Sequence, residues 1–155
     1  MKTAADILAR KTKRMISVRA DQRISEALTL MNAHKIGAML VRDETGMVVG
    51  IWTERDLIQD TLNEGFDPRT AVIGHYMTTD LHTASSDATI LELKEKMLSL
   101  YIRHLLISEN GRIIGILSVG DIVRASLAAQ DRRIQELRDH TSWQYYETWA
   151  WGPVA

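Results

Sequence analysis

The sequence predicts an α/β fold of the α+β type: two tandem β-α-β-β-α repeats packed about a pseudo-twofold axis, then a long C-terminal helix and an aromatic tail. Three observations carry that expectation. Gly50-Ile51-Trp52-Thr53-Glu54-Arg55-Asp56-Leu57 recurs, altered, as Gly115-Ile116-Leu117-Ser118-Val119-Gly120-Asp121-Ile122. Upstream of these copies, Ile36 and Ile102 stand 66 residues apart, whereas Gly50 and Gly115 stand 65 apart, so one residue is lost in the polar turn between them. A hairpin loop is where a length change costs least, which supports a duplication. Finally, Asn63 to Thr70 is turn-rich and holds Gly65 and Pro68, one of only two prolines. The chain therefore divides into a first repeat over 1–62, a connector over 63–71, a second repeat over 72–126 and an extension with its tail over 127–155.

Taken in order, Ala4 to Leu8 predicts a short helical turn, and the basic run Arg10-Lys11-Thr12-Lys13-Arg14 reads as a solvated face. Met15 to Val18 has strand character. Ile24, Ala27, Leu28 and Met31 follow the i, i+3, i+4, i+7 spacing of an amphipathic helix ending near His34. Ile36 to Val41 and Met47 to Thr53 form a hairpin around Asp43-Glu44-Thr45-Gly46. The second repeat restates this order, with Ile73 to Met77 paralleling Ile7 to Lys11, and Ile90, Leu93 and Met97 paralleling Ile24, Ala27 and Met31. Neither half buries enough apolar surface to stand comfortably alone, so one shared core is expected. Past Asp121 a helix is expected to run to about His140. The tail beyond it concentrates Trp143, Tyr145, Tyr146, Trp149 and Trp151 and is expected to dock, first as a dimer clamp, with a ligand cover and a motif for another protein as the alternatives.

At 155 residues and 45% hydrophobic content the chain has material for a core, and its charge of −1 supplies no broad field for nucleic acid or an anionic membrane. The absence of cysteine excludes thiol catalysis and cysteine metal sites. Asp6 interrupts the only N-terminal apolar stretch, and no run has the length of a membrane span, so a cytoplasmic location is expected. There is no phosphate-binding glycine loop, and His75 and His82 are isolated, so catalysis is not expected.

Where a strand runs into a helix, Thr53 and Ser118 are preferred N-caps, and Asp56 and Asp121 three residues later complete a capping box. The same geometry suits a nucleotide, because free first-turn N–H groups attract phosphate and a carboxylate accepts ribose hydroxyls. Trp52, by strand alternation, faces away from Ile51 and Thr53 and is expected to fill core.

The motifs Ile36-Gly37-Ala38 and Thr53-Glu54-Arg55-Asp56, with Ile102-Arg103-His104-Leu105 and Ser118-Val119-Gly120-Asp121-Ile122-Val123, resemble a stand-alone pair of CBS domains, named after cystathionine beta-synthase. The resemblance covers roughly Ala4 to Ala125. It implies a sensing module without catalysis, with clefts for an adenosine-containing ligand such as AMP, ADP, ATP, NAD(H) or S-adenosylmethionine. It implies a homodimer, matching helix faces bearing Met31, Met97, Leu98 and Leu100, and leaves open an unidentified target protein. Residue by residue it gives Asp56 and Asp121 the ribose, Thr53 and Ser118 the phosphate, and Thr12 and Thr78 the adenine. Gly37, Ala38, Arg103 and His104 would line the clefts, and Arg55, Arg103 and Arg124 would neutralise phosphate, with His104 adding charge when protonated. The sequence departs from the family pattern at Leu106, where many relatives carry proline, at Arg23, which replaces a small cap, and at Trp52. The alternative is a scaffold module with empty clefts.

Overall fold

The computed structural model describes residues 2–11 and 15–149, with side-chain surroundings through Leu137. The first repeat contributes β1 (Ser17–Arg19), α2 (Ile24–His34), β2 (Ala38–Arg42), β3 (Val48–Thr53) and α3 (Glu54–Asp60), preceded by α1 (Ala4–Ala9). The second contributes β4 (Thr83–Ser85), α4 (Ile90–Ser99), β5 (His104–Glu109), β6 (Arg112–Ser118) and α5 (Val119–Trp149), preceded by a 3-10 turn at Ile73–His75. Each forms a three-stranded mixed sheet, in the orders β1-β2-β3 and β4-β5-β6. The outer pair of each is parallel because a helix intervenes, and the hairpin pair is antiparallel.

Local chemistry explains most boundaries. Thr89 caps α4 by accepting from the Glu92 N–H, and the Glu92 carboxylate takes the Thr89 N–H at 2.7 Å. At the matching start of α2, Arg23 has no side-chain acceptor to offer, and only the return bond to Glu26 is made, at 2.8 Å. A non-glycine residue in the left-handed region closes each helix, Lys35 as the cap of α2 and Tyr101 just after the Leu100 cap of α4. The β5–β6 hairpin turns through Asn110 and Gly111, both at positive φ, as a tight two-residue hairpin requires. The β2–β3 loop is longer, and the Asp43 carboxylate organises it by accepting from the N–H groups of Thr45 and Met47.

In place of one shared core there are two. Val18, Ile24, Ala27, Met31, Met39, Val41 and Trp52 form the first with Ala71 and Ile73; Leu93, Met97, Leu105, Ile107, Leu117 and Ile122 form the second with Ala4 and Ile7. The leading segments are thus exchanged, each docking on the other repeat. α1 enters the second core, and the 3-10 turn enters the first. The bonds that seat them correspond: Ala4 donates to the Ala88 carbonyl and Ile73 to that of Gln22, while Ala5 donates to Ser86 and Gly74 to Ala20. These equivalences have an offset of 69, so the pairing of Ile7 with Ile73 is out of register by three residues. The physical reason is that the chain between α1 and β1 is three residues longer than its counterpart.

Trp52 fills core as expected, fully buried, with its indole N–H donating to the Asp60 carboxylate at 2.9 Å. Met31 and Met97 are buried rather than exposed, because both sit on the inner stripe of their helices; Leu98 and Leu100 remain exposed. α5 passes His140 and continues to Trp149, since no glycine or proline interrupts the sequence until Gly152 and Pro153. The expected docking of Trp143, Tyr145, Tyr146, Trp149 and Trp151 concerns side chains outside the described residues.

Candidate functional site

The two strand-to-helix junctions have the same hydrogen bonds. At the first, the Asp56 carboxylate accepts from the Thr53 N–H at 2.8 Å and from its hydroxyl at 3.0 Å, and the Thr53 hydroxyl oxygen accepts from the Asp56 N–H at 3.4 Å. At the second, the corresponding distances for Asp121 and Ser118 are 2.8, 2.9 and 3.2 Å. Each junction opens into a cleft. The opposite wall comes from the other repeat, where the chain enters its central strand.

The cleft at Thr53, about 970 Å³, brings together Thr53, Arg55 and Asp56 with Thr78, Arg103 and His104. The cleft at Ser118, about 660 Å³, brings together Ser118, Asp121 and Arg124 with Gly37, Ala38 and His104. Gly37, His104 and Ser118 border both spaces. Of the twelve candidate residues, only Thr12 lies outside the described residues. The walls are joined by backbone bonds of equivalent position: the Glu54 N–H donates to the Gly37 carbonyl, and the Val119 N–H to that of Arg103, both at 3.0 Å. A Cβ on Gly37 would stand 3.1 Å from Glu54 Oε2, so the glycine keeps that wall close to the helix start.

The electrostatics of the clefts differ. Asp121 Oδ2 receives the Lys11 ammonium at 2.9 Å, and Oδ1 receives the Arg124 guanidinium at 2.9 Å. Burial is the largest single influence on Asp121 and opposes its charge. The Ser118 N–H and hydroxyl together with Lys11 outweigh it and bring the pKa down to about 2. Among the described residues no cation pairs with Asp56. His104 is held below its ordinary value, first by burial and then by Arg103 and Lys11, against the pull of Glu54 and Asp121. Its surroundings therefore disfavour the charged form, which is the form His104 needs in order to add charge to the cleft.

Lys11 was not among the residues that the sequence singled out. It sits in the basic run after α1, where only a solvated face is legible, and its partner lies 110 residues away. Glu54 was also missed, because at the first turn of a helix an acid reads as a dipole partner rather than as a cleft wall. Among the described residues no group of acids and histidines is arranged to hold a metal ion, and no helix is long and apolar enough to cross a membrane.

Comparison with known proteins agrees with this architecture. The chain is 34% identical over 117 residues to an uncharacterised 17.7 kDa protein of Acidianus ambivalens, covering 75% of this chain and 70% of that one. It is similar to the crystal structure of a CBS-domain-containing protein of Agrobacterium tumefaciens, with a TM-score of 0.75 and 37% identity over 80% of this chain and 92% of that chain. The CBS domain pair of protein MJ0100, crystallised with 5′-methylthioadenosine and S-adenosyl-L-methionine, matches with a TM-score of 0.71 and 25% identity, covering 83% of this chain and 98% of that chain. The CBS domain itself matches twice, over residues 4–62 and 73–128, and with the two sheets and their exchanged leading segments this places the chain in the CBS-domain family as a tandem pair.

Proposed function

We propose that the chain is a regulatory module that senses an adenine nucleotide, binding it in the clefts and performing no chemistry on it. The observation that carries this reading is the recurrence of one arrangement at two clefts: a capped helix N-terminus, a carboxylate three residues on, and a wall from the opposite repeat. Both volumes fall in the range of small-molecule sites. Asp56 and Asp121 would accept ribose hydroxyls, and Thr53 and Ser118 would meet phosphate beside the first-turn N–H groups. Arg55, Arg103 and Arg124 would balance phosphate charge, Thr12 and Thr78 would approach the adenine, and Gly37, Ala38 and His104 would line the walls. The relative crystallised with adenosyl ligands supports this class, within which AMP, ADP, ATP, NAD(H) and S-adenosylmethionine are the candidates. Because each cleft takes residues from both repeats, occupancy would couple the repeats, and a homodimer in the cytoplasm acting on a target protein is the setting we propose.

One observation favours the scaffold reading. The carboxylates already complete capping boxes, and so have a structural role with the clefts empty. Thermal melting with a panel of these ligands separates the two. A ligand at 100 times its Kd adds about 2.7 kcal/mol to stability. A rise in Tm with one or more of the panel is expected, and no shift with any of them would leave the scaffold.

A further inference from the structure

Among the described residues, the cleft at Ser118 carries a surplus of positive charge that its counterpart lacks. Around Thr53, the cations Lys35, Arg55 and Arg103 are met by Glu54, Asp56 and Asp80. Around Ser118, Lys2, Arg10, Lys11, Lys35 and Arg124 face Asp6 and Asp121. Within this surplus Lys11 has a specific seat. Its Nζ donates at 2.9 Å to Asp121 Oδ2 and at 2.9 Å to the Ile116 carbonyl oxygen on β6, so it spans from the carboxylate to the cleft wall. Arg124 holds the other carboxylate oxygen. Both acceptor atoms of Asp121 are therefore engaged by the chain's own cations.

Resting on the nucleotide-sensing reading, we infer that Lys11 is a charge gate that makes the Asp121 cleft select phosphorylated over uncharged nucleosides, and that among the described residues the Asp56 cleft has no such gate. A ribose that reaches Asp121 must take Oδ2 from the ammonium. The displaced cation then needs a new anion. A nucleoside phosphate brings one, directed by the N-terminus of α5 to the same end of the cleft, and the flexible four-carbon stem of lysine lets the ammonium swing to it. An uncharged nucleoside brings none and leaves the ammonium beside four other cations. Asp56, free of any such pair among the described residues, offers its carboxylate to either ligand.

The test uses the full chain carrying Asp56→Ala, so that only the Asp121 cleft reports, with AMP and adenosine titrated by calorimetry. With Lys11 present, AMP is expected to bind at least about tenfold more tightly than adenosine, the difference one charge-assisted hydrogen bond makes. Lys11→Met should collapse the ratio to within about threefold, with adenosine binding improved, while Lys11→Arg should keep it. A further measurement needs no change at Lys11: raising the salt concentration should shrink the AMP-to-adenosine ratio, because the gate acts through charge. Both ligands bound with a ratio that ignores both Lys11→Met and salt would overturn the gate and leave the nucleotide reading standing. Neither ligand bound by any of these proteins would overturn both.

Discussion

Thr53–Asp56 and Ser118–Asp121 are copies of one junction whose hydrogen bonds agree to within a few tenths of an ångström, yet among the described residues only one carboxylate is clamped between cations. The duplicated motif sets the local backbone and the cap. What faces it across the cleft comes from the exchanged leading segment, whose equivalent positions carry different side chains in the two repeats. Lys11 follows the docked Leu8 by three positions, and Asp80 follows the docked Met77 by three; each lines its own cleft with opposite sign. A repeat can therefore keep its fold while its two sites diverge in charge.

The cores diverge as well, and there the largest effect is expected. Trp52 and Leu117 occupy equivalent positions on β3 and β6, and both are fully buried. Making the first repeat resemble the second by Trp52→Leu leaves a cavity and removes the indole donor from Asp60, and should cost about 3 kcal/mol by urea denaturation. A cost under about 1 kcal/mol would show that the first core collapses onto the smaller side chain. That Trp52 packs inward was legible from strand alternation. That it needs Asp60 was not, because the two are joined by the geometry of α3 and not by pattern.

Legibility followed range. The hairpins, the capped helix starts and the repeat itself are short-range patterns, and the sequence shows them. The exchange of leading segments is long-range: Ala4 and Ile7 look like the start of the first repeat, and nothing in their spacing says that they belong to the second core. The glycines that receive these segments test the exchange. An ideal Cβ on Gly115 would sit 2.7 Å from a terminal methyl of Leu8, while one on Gly50 would meet Met77 along its stem to within 3.0 Å of its Cβ. Gly50→Ala should cost about 2 kcal/mol and Gly115→Ala about 1, since only the leucine methyls can turn aside. Equal and negligible costs would argue against the docking of either segment.

The charge difference predicts an acid asymmetry. Asp121 is depressed to about 2 in the folded chain from an ordinary 3.8, so its stabilisation is fully present above the higher value and is lost as pH falls through the lower. Allowing for screening in a partly open cleft, this amounts to about 1 to 2 kcal/mol. Asp121→Ala should therefore destabilise the protein by that amount at pH 7 and by much less at pH 2, whereas Asp56→Ala should cost only its cap, about 1 kcal/mol. Melting both variants across this pH range checks the difference. In binding, Asp121→Ala should lose about 1.5 to 3 kcal/mol for a ribose ligand in its own cleft, and affinity retained there would remove the ribose assignment.

The smallest effect separates the caps themselves. Thr53→Ala and Ser118→Ala each delete a hydroxyl that accepts a first-turn N–H and donates to the carboxylate, a change worth about 1 kcal/mol at an ordinary N-cap. After Thr53→Ala, Asp56 keeps only the backbone N–H of residue 53 among its described partners, so the start of α3 loses most of what orders it. After Ser118→Ala, Asp121 still holds the backbone N–H, Lys11 and Arg124, and the start of α5 stays pinned. Ser118→Ala should therefore cost less, about 0.5 kcal/mol against about 1 for Thr53→Ala at low salt. At 1 M salt, where the screening length falls to about 3 Å, the exposed Arg124 contributes less and the two costs should converge. If Ser118→Ala were the costlier at both ionic strengths, the cations would not be holding the junction, and the contrast between the clefts would reduce to their caps.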